Sequence, residues 1–471
     1  MPWSHTAIGL ASVSDSQRRV VVVANRLPVA YDDEAGEWNT SPGGLVSALT
    51  PILQQTQGSW VGWSGIADRH FDPFVHSDIN QVPVTLSQEE YEEFYVGFCN
   101  GTLWPLYHDS VRAPEFHRHW WRPYEAVNQR FAEVVAKSLS ANDVAWVQDY
   151  QLQLVPQMLR DLTEVHRIGF YLHIPFPPVE LFAKLPWRRP VLEGLLGADV
   201  LAFQSRSSRT NFAVAARRLV GASGSSRKLE WQGREVTLQV APIGIDTSVF
   251  EEKAASEETT TAAREIRSYL GDPDVVILGV DRLDYTKGID LRMRALQTLL
   301  ENRPELIGKI VFVQIAVPSR EDVEEYRRIR GDIEGLVGRI NGEFAEVGRP
   351  PIHYLYRSVP IDELIAYYRA ADVMFVTPLR DGMNLVAKEY VATRYDNTGA
   401  LVLSEFAGAA EQLTQAFLVN PFDLNALANS LHDAIDTASV KGNAPMKALR
   451  RSVNRHDVFW WADRCLSALG L

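Results

Sequence analysis

The chain has 471 residues, 46% hydrophobic and 23% charged, with a formal net charge of -12. That length exceeds one simple core and suits two core-forming domains, while the acidic balance excludes a general nucleic-acid binder or a basic membrane-surface protein. Cys99 and Cys465 are the only cysteines, so no disulfide framework is implied and a reducing compartment is expected. The start, MPWSHTAIGLASVSDSQRR, lacks a basic region ahead of its short apolar run and reads as a ragged leader without a secretion signal. No apolar run approaches the ~18 residues that cross a bilayer. A soluble, cytoplasmic protein is expected.

Taken in order, Val20–Ala24 (VVVVA) is a buried-strand pattern ended by Asn25-Arg26-Leu27-Pro28. Arg26 therefore stands where a strand gives way to a loop, the usual place for ligand-facing residues in an open α/β sheet. A polar loop, YDDEAGEWNTS, follows and is of a kind that can move. Pro42-Gly43-Gly44 then opens the helix LVSALTPILQQ, where two glycines let a phosphate approach the backbone. Trp60–Gly65 (WVGWSG) is a strand with aromatic edges. Tyr91–His108 is dense in aromatic residues, Tyr95 and Trp104 among them, whose faces suit sugar rings or plain packing. Val144–Val147 delivers Asp149 at its C-terminal end, and Arg167–His173 places His173 at the same sheet edge. Val200–Gln204 and Val236–Pro242 continue the strands, with a helix at Ser207–Val220 between them.

A polar, helical stretch, EEKAASEETTTAAREIRSYL, follows Ile245-Asp246, and the Gly244 region is the expected domain boundary. Strand Val275–Val280 runs into DRLDYTKG, so Arg282 and Lys287 flank one loop at its end. Two such cations on a diphosphate are each worth about 4 kcal/mol at an effective dielectric near 20, before desolvation. The competing role is a surface ion-pair loop with Asp281 and Asp284. Asp272-Pro273-Asp274 reads as a turn and not as a metal-binding DxD motif. Lys309–Ala316 is a strand ended by Pro318-Ser319-Arg320, and Ile352–Tyr356, Asp372–Thr377 and Leu401–Leu403 are further strands.

Ala371–Ala392 (ADVMFVTPLRDGMNLVAKEYVA) combines a short buried strand, a tight loop at Arg380–Gly382 and a helix capped by Asn384. Unpaired amides and the helix dipole make that helix start an anion site. Glu389, one turn inside, can accept from a ribose diol. Ser404–Ala410 is a second small-residue loop, expected to feed a helix. In the last helix Val458, Trp461, Ala462, Cys465 and Leu469 share a face that must dock on a domain. The strand–helix alternation predicts parallel βαβ units in both halves, an α/β fold.

Together, ANRLPV, SPGGL, WVGWSG, FYVGFCNGTLWPLYH, VQDYQL, LHIPFP, VDRLDYTKGI, TPLRDGMNLVAKEYVA and SEFAGAA follow an order and spacing that resembles the trehalose-6-phosphate synthases, retaining glycosyltransferases of GT-B architecture. The resemblance runs from about Val20 to the C-terminus. It implies two Rossmann-like domains with parallel sheets facing each other across a cleft: residues 1–246 for the acceptor, 247–455 for the nucleotide sugar, and a helix at 456–471 returning to the first domain. On the donor side it implies roles for Gly43, Gly44, Arg282, Lys287, Val359, Gly382, Met383, Asn384, Leu385, Val386, Ala387 and Glu389, with His173 and Asp381 holding the donor glucose. Arg26 and Arg320 match positions that grip the acceptor phosphate, and Tyr95, Trp104 and Asp149 those lining the acceptor sugar. Val359 replaces a bulkier residue near the base, a change that the implied backbone contact survives.

The implied reaction moves glucose from a nucleotide-glucose to glucose 6-phosphate, giving α,α-trehalose 6-phosphate. UDP-glucose is the family default, with ADP- and GDP-glucose left open. Neutralising a diphosphate leaving group takes a metal or fixed cations. No strong metal-ligand cluster stands out in the sequence, so Arg282, Lys287 and the Asn384 helix start are expected to serve, with no metal and no further cofactor. Catalytic roles fall to Asp149, His173, Arg282, Lys287 and Asp381, Asp149 orienting the acceptor without acting as a nucleophile. Members of this family are often dimers or tetramers, so a homo-oligomer is expected. The alternatives are a same-fold transferase using glycerol 3-phosphate or a cyclitol phosphate, and an inactive sugar-phosphate sensor.

Overall fold

A computed structural model describes residues 18–471 apart from 42–43, 141, 165–166, 320–323, 439 and 441. Among the described residues two sheets dominate. The first is ten-stranded, and its centre is a parallel set running Arg234–Val240, Val200–Phe203, Ile168–Leu172, Val144–Gln148, Val20–Arg26, Ser59–Trp63 and Ile79–Val84 in spatial order. The second is six-stranded and wholly parallel: Ile352–Tyr356, Ile310–Val317, Val275–Arg282, Val373–Val376, Ala400–Ser404 and Phe417–Val419. In each sheet the strand order reverses once, beside Val20–Arg26 in the first and beside Val275–Arg282 in the second. Such reversals leave a crevice beyond the C-terminal strand ends, where α/β sheets bind ligands.

Burial follows the alternation of side chains across each sheet. Val21 and Val23 pack with the aromatic segment around Phe94 and Phe98, whereas Val20 and Val22 face a second core. That second core runs on without a break through Trp146 and Tyr171 to Val276 and Val313 of the other sheet and Tyr390 of helix Leu385–Thr393. The expected helix face is confirmed in full: Val458, Trp461, Ala462, Cys465 and Leu469 are all buried. Helix Val458–Ala468 lies on the first sheet, Trp461 packing 5.4 Å from Trp146 and 5.2 Å from Tyr171 between ring centroids. Gln239 donates to the Arg464 carbonyl at 2.9 Å and Val458 to that of Ile245 at 3.0 Å.

Several expectations need correction. The stretch expected to be a polar loop is an antiparallel hairpin, Val29–Asp32 with Glu37–Thr40. Its turn is held by Asp32, which accepts from the amides of Glu34 and Ala35, and Trp38 stacks on Phe74 at 4.5 Å. The small-residue loop after Ser404 feeds only the 3-10 turn Gly408–Glu411 and then strand Phe417–Val419; the helix begins at Leu424. Strand Val275–Arg282 runs two residues further than expected, and Arg282, its last residue, flanks the loop as expected. The polar insertion is two helices, Thr247–Ala255 and Glu257–Tyr269, separated by Ser256, whose hydroxyl caps the second. Among the described residues no helix is long and apolar enough to cross a membrane.

Trp461→Ala is expected to cost about 3–5 kcal/mol of stability, as for other buried aromatics truncated in a packed core. Urea unfolding checks this; a loss below about 1 kcal/mol would show that the last helix is not integral to the first-sheet core.

Candidate active site

The strand ends of the two sheets converge on a cleft of about 830 Å3. Arg26, Tyr95, Trp104, Asp149 and His173 line it from the first sheet. Arg282, Lys287, Asp381, Gly382, Met383, Asn384, Leu385 and Val386 line it from the second. Gly44 opens helix Gly44–Thr56 beside it. Gly43 and Arg320 lie outside the described residues. Val359, Ala387 and Glu389 are not among the lining residues: Val359 packs on the shared core, and Glu389 accepts from the Tyr368 hydroxyl at 2.8 Å.

The first-sheet wall is held rigidly. Arg26 lies over the Trp63 ring at 4.8 Å, and a Cβ at Gly65, itself at φ 94°, would sit 2.0 Å from its guanidinium and push it aside. Tyr91–Leu103 is a π-helix, a form often found at functional sites. It stacks Tyr91 on Tyr95 at 5.7 Å and leads directly into Trp104. Asp149 adopts φ 69°, a left-handed conformation that costs energy for a residue with a side chain. Its carboxylate accepts from the His173 amide at 3.1 Å. Burial pushes the Asp149 carboxyl up to about 7, and the amides of His173, Tyr150 and Ile174, with Arg282, pull it back only in part. Burial also pushes His173 down to about 3, so its imidazole is neutral, with Nε2 3.0 Å from Gln148 Oε1.

The second-sheet wall supplies charge. Burial works to raise Asp381, but the Lys287 ammonium at 2.6 Å holds it below the usual carboxylate range. Asn384 caps its helix by accepting from the Ala387 amide at 2.9 Å, and its own NH2 reaches Asp381 at 3.3 Å. The Ala387 amide is therefore taken, which leaves the first-turn residues Leu385 and Val386 facing the cleft. Asn384 sits at φ 103°. Asp281 is paired with the fully buried Arg292 at 2.6 Å and Asp284 caps the turn at Thr286, so these acids have structural roles of their own. Arg282 lies over the Trp104 ring at 5.5 Å, joining the two walls.

Sequence reasoning missed several lining residues, Asn25, His108 and Gln148 among them. Asn25 is buried, and its Oδ1 has no hydrogen-bond partner within the protein. His108 donates from Nδ1 to the Trp104 carbonyl at 2.8 Å and stacks on that ring at 4.2 Å. Burial pushes it down to about 4, so its Nε2 is a neutral acceptor near Lys287 and Asp381. Gln148 sets the His173 ring. Their only sequence signal was adjacency: Asn25 precedes Arg26, His108 ends the aromatic run, and Gln148 precedes Asp149.

The glycosyltransferase family 20 model matches residues 18–470. The chain belongs to glycosyltransferase family 20. A trehalose-6-phosphate synthase from Mycolicibacterium smegmatis is 52% identical over 461 residues, covering 95% of this chain and 92% of that protein. One from Mycobacterium avium is 51% identical over 477 residues, covering 98% and 97%. A solved UDP-forming α,α-trehalose-phosphate synthase from Burkholderia xenovorans, in complex with glucose 6-phosphate, superposes with TM-score 0.87 at 35% identity over 96% of this chain and all of that one (100%). An E. coli structure bound with UDP-2-fluoro glucose gives TM-score 0.87 at 34% identity, covering 96% and 98%. The family 20 protein is thus an enzyme with the GT-B fold that its motifs led us to expect.

Because the native Asp149 value lies above that of the unfolded chain, the folded protein binds this proton more tightly. The resulting stabilisation is complete below about pH 4 and is lost as pH rises through 7. Relative to Asp149→Asn, wild-type stability should therefore fall by roughly 2–3 kcal/mol between pH 5 and pH 8. Urea titrations of both proteins check the sign; a flat difference would contradict it.

Proposed function

We infer that the enzyme transfers glucose from a nucleotide-glucose to glucose 6-phosphate, giving α,α-trehalose 6-phosphate and a nucleoside diphosphate. The observation that carries this is the two-walled cleft: Arg282, Lys287 and the Leu385–Val386 helix start on one side, and Arg26, Tyr95, Trp104 and Asp149 on the other. The Arg282 and Lys287 wall suits a diphosphate, the Arg26 and Asp149 wall a phosphorylated sugar. The trehalose-phosphate synthase activity for which the Mycolicibacterium and Burkholderia relatives are named supports the same reading. UDP-glucose is the proposed donor, with ADP- and GDP-glucose as competitors. Arg320 and Gly43 are assigned by resemblance, to the acceptor phosphate and the donor respectively. Glu389 is assigned to the ribose, Ala387 to the helix-start backbone and Val359 to a backbone contact near the base.

Retention follows from attack on the face that the leaving group departs. The bond from the glucose anomeric carbon to the diphosphate oxygen breaks and that to the acceptor oxygen forms. The acceptor's hydroxyl proton passes to the departing phosphate oxygen. Arg282 and Lys287 stabilise the charge that grows there, as pre-positioned cations do in dry sites. His173, neutral, and Asp381, ionised, hold hydroxyls of the donor glucose. Asp149 orients the acceptor. Its carboxylate is tied to the His173 amide, which suits positioning better than nucleophilic attack. The proposed units are residues 1–246 for the acceptor, 247–455 for the donor and 456–471 as the returning helix, acting as a cytoplasmic homo-oligomer.

Incubation with glucose 6-phosphate and UDP-, ADP- or GDP-glucose in turn should yield an α,α-1,1-linked disaccharide phosphate, identified by NMR and mass spectrometry, with UDP-glucose fastest. Turnover only with another phosphorylated acceptor, or with none, would overturn the reading.

A further inference from the structure

A second cavity, of about 1200 Å3, shares no lining residue with the cleft. It opens where helix Arg206–Val220 and strand Arg234–Val240 meet the turn Gly408–Glu411 and the returning helix Val458–Ala468. Arg206, Arg209, Arg227 and Arg464 line it, and among the described residues none of their guanidinium groups has an ion-pair partner. In a chain of net charge -12 such a concentration of uncompensated cations is a local reversal of sign. Arg209 is half-buried, and its Nε is buried without a hydrogen-bond partner. Burial lowers its guanidinium, and Arg227 and Arg206 lower it further. The Oε1 atoms of Gln239 and Gln412, in the same lining, are likewise buried and unsatisfied.

The one lining acid is informative. Glu411 Oε2 accepts from the Arg206 amide at 3.5 Å, so a carboxylate already sits at the N-terminus of a helix whose first turn carries Arg206 and Arg209. The contact is long, and a stronger anion would replace it. We propose that this cavity binds a small phosphorylated polyol, its phosphate on the arginines and its hydroxyls donating to Gln239 and Gln412. Four cations around one cavity favour a dianionic phosphate over a monocarboxylate, and the unsatisfied acceptors call for hydroxyl donors. The site also has a route to the cleft. The turn that ends in Glu411 begins at Gly408, whose amide donates to the Asp381 carbonyl at 3.1 Å, and Ala409 donates to that of Met383 at 2.9 Å. Displacing Glu411 therefore acts on the backbone that carries Asp381, a coupling that rests on the reaction proposed above.

The probe is glucitol 6-phosphate, which has no anomeric hydroxyl to serve as acceptor, with inorganic phosphate beside it. His456 lines the cavity and is lowered by burial and by Arg455, Lys388 and Arg464, so a bound anion raises it. NMR of the His456 imidazole should show a saturable shift with glucitol 6-phosphate, at least tenfold tighter than with inorganic phosphate. The Arg209→Gln/Arg464→Gln protein should weaken binding at least tenfold, and Arg26→Ala, in the cleft, should leave it unchanged. If the double variant does not fold, Arg464→Gln alone should lose at least threefold. A silent His456, equal titration of the arginine variants, or a shift reproduced by inorganic phosphate at the same affinity would overturn the site. A shift in the nucleotide-sugar KM of twofold or more on adding the probe supports the coupling; an unchanged KM with the His456 shift intact overturns the coupling alone.

Discussion

The site depends on three pieces of backbone that touch with no side chain between them. A Cβ on Gly382 would lie 2.1 Å from the His173 carbonyl oxygen, and one on Gly408 would lie 2.0 Å from the Gly382 carbonyl oxygen. No L side chain fits at either distance, so the strand-end loops of both sheets are held at backbone contact. That contact brings His173 and Asp381, from different sheets, to one cleft. It also explains why the strained residues gather here: Asp149 at φ 69° and Asn384 at φ 103° adjoin the same junction. The surrounding core, continuous between the sheets, holds conformations that neither loop would adopt alone.

The electrostatics follow from that placement. Burial alone would discharge every carboxyl near the junction, but each has a different local answer. Asp381 keeps its charge because Lys287 is 2.6 Å away. Asp149 has amides and a more distant guanidinium, and so its carboxyl rests near neutrality, at about 7. His173 and His108, walled in by rings and carbonyls, stay uncharged and serve as hydrogen-bonding groups. Lys388, on the helix that Asn384 caps, donates at 2.6 Å to the Ile243 carbonyl, where the chain leaves the first sheet. The donor-side helix is therefore tied to the connecting segment by a buried bond.

Much of this was legible from residue order. Apolar runs marked most strands of both sheets, because parallel strands buried on two faces read as unbroken hydrophobic stretches. The Asn384 cap, the buried face of the last helix and the strand-end positions of Arg26, Asp149 and His173 came from the same reasoning. What escaped depended on contacts distant in sequence. The hairpin at Val29–Thr40 is short and polar, and its order comes from Phe71 and Phe74 packing on Trp38. Strand Ile79–Val84 is interrupted by Asn80, Gln81 and Pro83 and shows no apolar run. Asn25 and His108 differ from ordinary buried polar residues only in facing the cleft, which no local pattern encodes.

The measurement that tests this account most directly is the steady-state rate of Gly382→Ala alongside its far-UV circular dichroism. If backbone contact between Gly382 and His173 sets the site, kcat/KM falls at least a hundredfold while the secondary structure is kept, because a methyl group must separate the two loops. A folded variant with a rate within twofold of the wild type would contradict it.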